Sequence, residues 1–452
     1  MFTGIRMEFI PGRVNTTIRV RPRASESGST PDCFRYDNST DPITLTIKGL
    51  DRGEKRERLF TADHILMDET SQQECYDTVA APLVASVIEG YHGTIIAYGE
   101  SASGKTYSIL GRQVTTENKI NFHTDPACEG IFPRAVRHIL AWKEQAPAQE
   151  QLVLEMSFFQ IYKEKINDLL SPERKILELH EDPKEGFFVE DLPRHPIKDM
   201  RTFLRLLIEG YSRRATSPTL INEVSSRSHA VLVLHVTRTI SGEGWSAQAR
   251  TFGRLYCVDL AGSECAKFNT GERLEENKFI NVSLNALGNV IAALSNPKRA
   301  HIPFRDSKLT KILQSSLIGN CRAAILCTVR YKEDIFETVN TLHFAARSRK
   351  IKLSAHPNKV IDYQVLCLEL KNQLKKRSNQ IVSLRSRLSK YEPVEDDIPT
   401  ESNVFLEAVD SFLRDRSYHE LSHMVDNLES SRQNRHQLVD ELDSIYQDLI
   451  TE

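Results

Sequence analysis

Residues 97–111 read AYGESASGKTYSILG and contain a glycine-rich loop whose spacing suits phosphate chemistry. Gly99 to Thr106 satisfy the pattern G-x-x-x-x-G-K-[ST]. In such a loop the glycines let backbone N–H groups turn toward a phosphate, while Lys105 would reach the β and γ oxygens and the Thr106 hydroxyl would bind Mg²⁺. The alternative is a Gly/Ser-rich turn that caps a helix. An apolar strand before the loop and a helix after it favour the phosphate site.

Glu100 is unusual in this loop because its carboxylate stands beside the expected position of a triphosphate. Two unit charges about 4 Å apart interact by about 1 kcal/mol in water and about 4 kcal/mol at an effective dielectric constant of 20. A carboxylate aimed at the phosphates would therefore weaken binding. We expect the side chain to point outward to solvent and to modulate the site without abolishing it.

Two further polar segments could complete a nucleotide site. Residues 258–264, VDLAGSE, end an apolar run with the pattern D-x-x-G, in which Asp259 can hold Mg²⁺ through water and the Gly262 N–H can sense a γ-phosphate. Residues 222–229, NEVSSRSH, place hydroxyl groups and a guanidinium just before a strand. Alone, the first pattern is weak and the second is also typical of a polar turn.

The elements that must position these residues alternate strands with helices over the first 353 residues, which predicts an α/β domain. The runs 94–98 and 323–329 are apolar throughout, as central strands covered on both faces are. The predicted strands are 16–20, 94–98, 152–162, 229–239, 254–260 and 323–329.

After residue 353 the pattern changes to apolar residues spaced alternately three and four apart, which is typical of a coiled coil. Arg377 is the one polar break in this series, and a single amphipathic helix docked on the body is the alternative. A second, weaker heptad series follows between residues 421 and 449. The first series runs through Val360, Tyr363, Cys367, Leu370, Leu374, Arg377, Ile381, Leu384, Leu388 and Tyr391.

Charge is unevenly distributed although the formal net charge is only −2. Residues 394–452 contain 15 acidic and 4 basic residues, and residues 362–391 contain 7 basic and 2 acidic residues. The basic front part indicates an anionic partner, whether nucleic acid or an acidic protein surface, or only a solvated charged face. The eight cysteines include no C-x-x-C pair, which argues against a zinc site and fits a reducing compartment. We expect no membrane span.

The three polar segments together resemble the kinesin motor domain, whose nucleotide-sensing loops follow the patterns GQTxSGKT, NxxSSRSH and DLAGSE in this order. Here they read GESASGKT, NEVSSRSH and DLAGSE. The likeness spans residues 14–353, and SSRSH, DLAGSE and PFRDSKLT are its most specific strings. Myosin has a similar phosphate loop, GESGAGKT, with glutamate at the position of Glu100. Because nucleic-acid-dependent ATPases with such a loop leave PFRDSKLT unexplained, we expect a cytoskeletal partner and no nucleic acid.

The resemblance implies a P-loop NTPase of the α/β class, with a central mostly parallel β-sheet flanked by helices and followed by α-helical coiled-coil segments. It predicts a motor domain over 1–353, a neck linker over 354–361, a neck coiled coil over 362–391 that makes a homodimer, and an acidic helical or coiled-coil segment over 392–452. It also implies ATP and Mg²⁺ as cofactors and a location in the cytoplasm on the microtubule cytoskeleton.

The resemblance also assigns roles to residues. Arg19, Pro22 and Tyr107 would flank the adenine, and Ser225 would close on the phosphates wrapped by Gly99, Glu100, Ser101, Ala102, Ser103, Gly104, Lys105 and Thr106. The metal would be held by Thr106, Ser225 and Asp259. The catalytic group would be Ser226, Arg227, Gly262 and Glu264, in which Arg227 and Glu264 form an ion pair that joins the two loops. The microtubule contacts would include Lys278, Arg305, Lys308 and Lys311.

By this resemblance the chain is expected to be a microtubule-stimulated ATPase that moves along microtubules, toward the plus end because the motor precedes the coiled coil. The alternative is a non-motile or weakly motile microtubule-binding ATPase that acts as a switch. Two departures favour the alternative. The segment after Glu264 is about two residues shorter than the family pattern, and Leu353 replaces an asparagine that helps to latch a docked linker.

Overall fold

The computed structural model describes most of the first 361 residues and isolated helical positions after them. The described residues are 10–22, 34–37, 39–40, 42–116, 119–122, 125–173, 175–182, 186–214, 227–241, 248–264, 272–332, 334–361, 372, 375–376, 379–384 and 386.

The strands and helices are numbered in chain order. The strands are β1 Asn15–Val20, β2 Phe34–Asp37, β3 Ile43–Asp51, β4 Glu54–Ala62, β5 His64–Leu66, β6 His92–Tyr98, β7 Gln113–Thr116, β8 Lys119–Phe122, β9 Glu150–Tyr162, β10 Lys165–Asp168, β11 Ile176–Leu177, β12 Leu179–Asp182, β13 Gly186–Val189, β14 His195–Pro196, β15 His229–Ser241, β16 Gln248–Asp259, β17 Arg322–Val329 and β18 Lys359–Ile361. The helices are α1 Gln72–Val79, α2 Ala81–Ile88, α3 Lys105–Leu110, α4 Ile131–Gln145, α5 Met200–Arg214, α6 Glu272–Leu294, α7 Lys308–Ile312, α8 Gln314–Ile318 and α9 Phe336–Ser348.

A central sheet has the strand order β11-β10-β9-β15-β16-β6-β17-β1-β5. The pairs β16–β6, β6–β17, β17–β1 and β1–β5 are parallel, whereas β9 pairs antiparallel with β10, β14 and β15. The sheet is therefore mixed: the half that carries the glycine-rich loop is parallel, and the other half is antiparallel. All six strands predicted from the sequence are confirmed, with ends that extend by a few residues.

Two hydrophobic cores cover the two faces of this sheet, and neighbouring residues of β6 divide between them. Ile95 packs with residues of α2, α4 and α5, such as Phe203, whereas Ile96 packs with α6, α7 and α9 through residues such as Leu287 and Phe344. All of these side chains are at most 1% exposed. Because strand side chains alternate between faces, an apolar strand with both faces buried must lie between two layers of helices.

A smaller antiparallel sheet, β2-β3-β4, lies beside this body. Its buried residues Phe34, Leu45 and Phe60 share a third core with Val339 and Leu342 of α9. A separate hairpin, β12–β13, also forms outside the central sheet. The sequence patterns did not predict either of these additions.

The chain divides into two compact units. The first comprises residues 1–240 and 250–360, and the second comprises residues 241–249 and 361–452. Within the second unit, residues 379–384 are helical, and the predicted seam residues Ile381 and Leu384 are 52% and 59% exposed. None of the described helices is long and apolar enough to cross a bilayer.

Candidate nucleotide site

The glycine-rich loop connects the end of β6 to the start of α3, at the carboxyl edge of the parallel strands. Gly99 has φ +153°, and a Cβ there would lie 2.3 Å from the carbonyl oxygen of Thr328. Gly104 has φ +107°, a conformation that residues with side chains rarely adopt, and α3 begins at the next residue. The two glycines therefore allow the tight turn that places the start of α3 against the sheet edge.

Lys105 is buried in the loop, and the residue is only 7% exposed. Its Nζ donates to the carbonyl oxygens of Gly99 at 2.8 Å and Glu100 at 2.9 Å. Burial lowers the pKa of Lys105, and the nearby carboxylates of Asp259, Glu264 and Glu100 oppose that shift. The ammonium group is thus fixed inside the curl of the loop, where a phosphate oxygen could replace one of its carbonyl partners.

Glu264 reaches into the loop from the DLAGSE segment. Its Oε2 accepts a hydrogen bond of 2.7 Å from the backbone N–H of Ser101. Gly262 lies between them, and a Cβ on it would approach the same oxygen to 2.4 Å. The Ser101 hydroxyl is buried and has no hydrogen-bond partner among the described residues. The loop amide therefore binds an anionic oxygen in this structure, and that oxygen belongs to the protein's own carboxylate.

Two of the three residues predicted to hold the metal, Thr106 and Asp259, lie together. The Thr106 hydroxyl donates to Asp259 Oδ2 at 2.8 Å, and Asp259 Oδ1 is buried without a hydrogen-bond partner in the described part of the chain. A hydroxyl beside a buried carboxylate oxygen with spare capacity is the oxygen donor set that Mg²⁺ prefers. The arrangement therefore fits a magnesium ion held directly or through water.

Arg214 is a functional candidate that sequence reasoning missed. Its Nη1 donates to Asp259 Oδ2 at 2.9 Å, and both side chains are 1% exposed. The guanidinium also donates from Nε to the Ser228 hydroxyl and from Nη2 to the Ser228 carbonyl oxygen. Nothing in the sequence around Arg214 pointed toward a strand residue 45 positions later. Arg214 therefore supplies a fixed positive charge next to Asp259, the carboxylate of the candidate metal site.

His229 joins the end of the NEVSSRSH segment to the DLAGSE segment. Its Nδ1 accepts from the backbone N–H of Ala261 at 3.1 Å, so its Nε2 carries the proton and donates to the Ser283 hydroxyl of α6 at 2.8 Å. Burial, with the charges of Arg214 and Lys105, lowers the pKa of His229 to about 3. This neutral histidine therefore ties the two loop ends to α6.

The remaining residues of the first switch segment are only partly described. Ser225 and Ser226 lie outside the described residues, so their predicted contacts with phosphate and metal stay predictions. Arg227 is half-buried and immediately precedes the Ser228 that binds Arg214. The predicted ion pair between Arg227 and Glu264 also stays a prediction, and in this structure the Glu264 carboxylate engages Ser101.

The expectation that Glu100 points to solvent is wrong. Glu100 is 4% exposed, and its Oε1 accepts from Arg330 Nε at 2.9 Å while its Oε2 accepts from Lys332 Nζ. Both cations follow the end of β17, which lies next to β6 in the sheet. A buried carboxylate without a partner would be strongly unfavourable, so the fold supplies two partners.

Two of the three residues predicted to flank an adenine, Arg19 and Tyr107, lie together beside the loop. Arg19 is 5% exposed and donates to Gln72 Oε1 at 2.7 Å and to the Ser108 hydroxyl at 2.8 Å, and its guanidinium lies 5.5 Å from the centre of the Tyr107 ring. Tyr107 is 41% exposed, and Pro22 is also exposed. The adenine contact itself stays a prediction, but an exposed ring braced by a fixed guanidinium is available for stacking.

Three of the four predicted track residues lie around α7 and contact the β12–β13 hairpin region. Arg305 donates to Glu181 at 2.8 Å, Lys308 Nζ lies 3.7 Å from Glu178, and Lys311 Nζ lies 5.8 Å from the centre of the Phe187 ring. Arg305 remains 76% exposed despite this ion pair. Lys278 lies in α6, and its side chain is outside the described residues.

The segment after α9 returns along the body and is held by an asparagine that sequence reasoning did not single out. The backbone N–H and the Nδ2 of Asn358 each donate to the Gly90 carbonyl oxygen at 2.9 Å. Asn320 donates to Asn358 Oδ1 at 3.0 Å, and Phe252 N–H donates to the Asn358 carbonyl oxygen at 2.9 Å. Leu353, which raised doubt about docking, is partly buried against the core.

The segment is also paired at its start. Leu353 N–H donates to the Gly12 carbonyl oxygen and Val14 N–H donates to the Ile351 carbonyl oxygen, both at 3.0 Å. Residues 1–9, which precede this pairing in the chain, lie outside the described residues.

Comparison with known proteins gives one consistent family. The Kinesin motor domain family profile matches residues 19–351. The chain is 37% identical over 349 residues to "Kinesin-like protein KIN-7D, chloroplastic" of Oryza sativa subsp. japonica, covering 77% of this chain and 33% of the relative. It is 35% identical over 395 residues to "Kinesin-like protein KIF3C" of Pongo abelii, covering 79% of this chain and 48% of that protein. The chain thus spans a third to about half of the length of these relatives.

Comparison with solved structures points to the same family. The fold resembles that in "Structure of a fast kinesin: Implications for ATPase mechanism and interactions with microtubules", with a TM-score of 0.67 and 32% identity over 77% of this chain and 94% of that one. It also resembles the KIF14 dimer in the two-heads-bound state with AMP-PNP, in complex with a microtubule, with a TM-score of 0.65 and 32% identity over 77% of this chain and 97% of that one.

Proposed function

The chain belongs to the kinesin motor domain family, and from that premise we propose that it hydrolyses ATP to move along microtubules toward the plus end. The observation that carries the proposal is the site in which the glycine-rich loop, Thr106, Asp259 and Glu264 meet within hydrogen-bond distance. These residues come from the end of β6, the start of α3 and the end of β16, which are neighbours in the sheet. Two segments more than 150 residues apart in sequence thus meet at one site.

The chemistry we propose is phosphoryl transfer to water, in which positioning and charge stabilisation supply most of the catalysis. The loop amides and Lys105 would bind the phosphates, and Thr106, Asp259 and Ser225 would hold Mg²⁺, which neutralises charge on the phosphate oxygens when bound. Ser226, Arg227, Gly262 and Glu264 would organise the attacking water. Because Glu264 already binds the Ser101 amide, a phosphate that takes this amide would release the carboxylate toward its proposed catalytic position.

Release of Glu264 offers a route from the nucleotide to the rest of the molecule. Glu264 belongs to the segment that leads into α6, and His229 connects the neighbouring Ala261 to Ser283 of α6. Movement of that segment would therefore shift α6, the helix that carries the track candidate Lys278. Such a two-position loop is a common way to convert the loss of a phosphate into a conformational change.

We propose microtubules as the partner and the cytoplasmic microtubule cytoskeleton as the location. Arg305, Lys308 and Lys311 lie around α7 in positions suited to an acidic protein surface, and the ion pairs of Arg305 and Lys308 with the β12–β13 region would exchange for contacts with the track. We also propose a homodimer through residues 362–391. The apolar residues Ile381 and Leu384 of the predicted coiled-coil seam are exposed in the single chain and would be covered by a second copy.

A non-motile ATPase is less well supported than it was from sequence alone. Leu353 suggested a weakly latched linker, but Asn358 latches the same segment through both its backbone and its side chain. The shortened segment after Glu264 lies mainly within 265–271, outside the described residues, and is left as the only reason for the alternative.

The test is steady-state ATPase activity across a full titration of microtubules. We expect stimulation of at least tenfold, because track binding would complete the catalytic arrangement of the two loops, as in other gated sites. A gliding assay on polarity-marked microtubules would then separate a motor from a non-motile ATPase. No stimulation at any microtubule concentration would contradict the proposal, and stimulation without movement would favour the alternative.

A further inference from the structure

We propose that Arg330 and Lys332 are positioning residues that hold the Glu100 carboxylate away from the bound nucleotide and keep the phosphate loop in a positive field. This inference rests on the proposed function, because it concerns how tightly the same site binds a nucleotide. It accounts for how the loop accommodates an acidic residue where the sequence alone predicted a cost to binding.

Glu100 faces in two directions. Its backbone carbonyl oxygen accepts from Lys105 Nζ at 2.9 Å and from the Ser103 hydroxyl at 2.7 Å, on the inner side of the loop. Its carboxylate is 5% exposed and is bound by Arg330 and Lys332. The residue thus contributes to the cradle through its backbone, while its charge is directed to the cations that follow β17.

The end of β17, which precedes Arg330 and Lys332, packs closely against the phosphate loop. The Thr328 hydroxyl lies 2.6 Å from the Ser103 hydroxyl, and the Thr328 carbonyl oxygen leaves no room for a Cβ at Gly99. Arg330 follows Thr328 by two residues, so the backbone that carries Arg330 starts from a point held against the loop. The Glu100 carboxylate is therefore held in place by a strand end that the loop itself touches.

The charges of the three side chains sum to +1, because one carboxylate is paired with two cations that are 35% and 33% exposed. Without the cations, a negative charge would remain within the reach of the phosphates and would repel them. Charges in partly buried sites are screened less than those on an open surface. The field at the loop therefore depends on the balance of all three groups, and not on Glu100 alone.

Four forms of the protein give four local charges. They are Glu100→Gln at +2, the wild type at +1, the triple variant Glu100→Gln/Arg330→Met/Lys332→Met at zero, and the double variant Arg330→Met/Lys332→Met at −1. The measurement is the dissociation constant of a fluorescent ADP analogue with Mg²⁺, at low and high salt. Arg56→Met serves as the matched control, because Arg56 lies in the exposed ion pair with Glu54 on β4.

We expect affinity to follow local charge. The double variant binds ADP at least tenfold more weakly than the wild type, the triple variant regains most of that loss, and Glu100→Gln binds at least as tightly as the wild type. Added salt reduces these differences, and Arg56→Met behaves as the wild type. Thermal melting of each variant checks that it is folded.

A merely structural role gives a different order, in which the triple variant, with the most substitutions, binds as weakly as the double variant or more weakly. That order, or wild-type affinity in the double variant, would overturn the inference while leaving nucleotide binding intact. If the wild-type protein itself bound no ADP, or Lys105→Ala bound it equally well, the proposed function would fail instead.

Discussion

Glu264 is the residue whose position says most about how the site works. Its carboxylate accepts from the Ser101 amide at 2.7 Å, and Gly262 is too close to it to carry a side chain. A phosphate oxygen and this carboxylate oxygen would compete for one N–H donor. In this structure the glutamate is the anion that occupies the Ser101 amide, and in the proposed mechanism it is part of the catalytic group.

This competition predicts the effect of Glu264→Ala. Removing the carboxylate frees the Ser101 amide, so we expect the affinity for ADP to stay equal or to rise a few fold. Because the proposed proton-release path is lost, we expect the ATP turnover rate to fall by at least tenfold, within the range for general acid–base groups. Nucleotide titration and single-turnover hydrolysis measure the two effects separately.

Glu54→Ala is the control for this experiment, because Glu54 is exposed and pairs only with Arg56 among the described contacts. It should change neither quantity. Weaker ADP binding in Glu264→Ala with an unchanged turnover rate would be the opposite of the expected pattern.

The sequence predicted residues whose backbone role follows from local spacing and missed those whose role depends on distant neighbours. Gly99, Lys105 and Thr106 could be placed because the loop pattern fixes their geometry. Glu100 was placed wrongly because its partner Arg330 is 230 residues away in the chain. No local signal marks a partner that only the strand order brings near.

At the scale of elements, Asp63 joins the edge of the sheet to the end of α9. Its Oδ1 accepts from Arg13 at 2.6 Å and from Arg349 at 2.8 Å, and its Oδ2 accepts from the Thr16 amide at 2.9 Å. Burial would raise the pKa of this carboxyl, but the hydrogen bonds from Arg13, Arg349 and Thr16 lower it to about 2. The network fixes the point from which the linker leaves α9.

The lowered pKa of Asp63 predicts an acid-dependent loss of stability. The stabilisation is fully present above pH 3.8, the ordinary pKa, and it disappears as the pH falls through about 2. We therefore expect Asp63→Asn to reduce the free energy of unfolding by about 2 kcal/mol at pH 7, and by less at pH 3. Urea unfolding at the two pH values measures the difference.

Asp191→Asn should change the free energy of unfolding little at either pH, because Asp191 is 74% exposed and its ion pair with Lys175 is on the surface. A gap between wild type and Asp63→Asn that is as large at pH 3 as at pH 7 would show that the charge of Asp63 is not responsible.

The latch at Asn358 predicts how firmly the linker segment docks. Asn358→Ala removes the side-chain bonds with Gly90 and Asn320 and keeps the backbone bonds. Because a hydrogen bond contributes about 1 kcal/mol, we expect hydrogen exchange of the amides of residues 352–361 to accelerate by about tenfold. We also expect Asn358→Ala to drive slower gliding of microtubules than the wild type. Lys359→Ala is the exposed control, and an unchanged exchange rate in Asn358→Ala would rule out the latch.

The six strands of the central sheet could be predicted because continuous apolar runs require burial on both faces. The β2–β4 sheet and the β12–β13 hairpin could not be predicted, since about half of the residues of β4 and of β12 are exposed and the pairing of these strands depends on turns. The central sheet is parallel on the side of the nucleotide site and antiparallel on the other side, where β9 pairs with β10 and β15.

At the scale of the whole molecule, the nucleotide site and the track candidates lie at different places, and α6, which shares a core with α7, carries the candidate Lys278. The site occupies the carboxyl edge of β6 and β16, and Arg305, Lys308 and Lys311 lie around α7. His229 and Glu264 are the side chains that connect the loops of the site to the segment entering α6. In the proposed function, a change in these loops is the route by which a terminal phosphate alters binding to a filament.

The most direct test compares the affinity of the protein for microtubules with ADP and with a non-hydrolysable ATP analogue, measured by cosedimentation at one ionic strength. We expect at least a tenfold difference between the two nucleotides in the wild type, and no difference in Lys105→Ala. Equal microtubule affinity with the two nucleotides in the wild type would contradict the proposed coupling between the phosphate loop and the track.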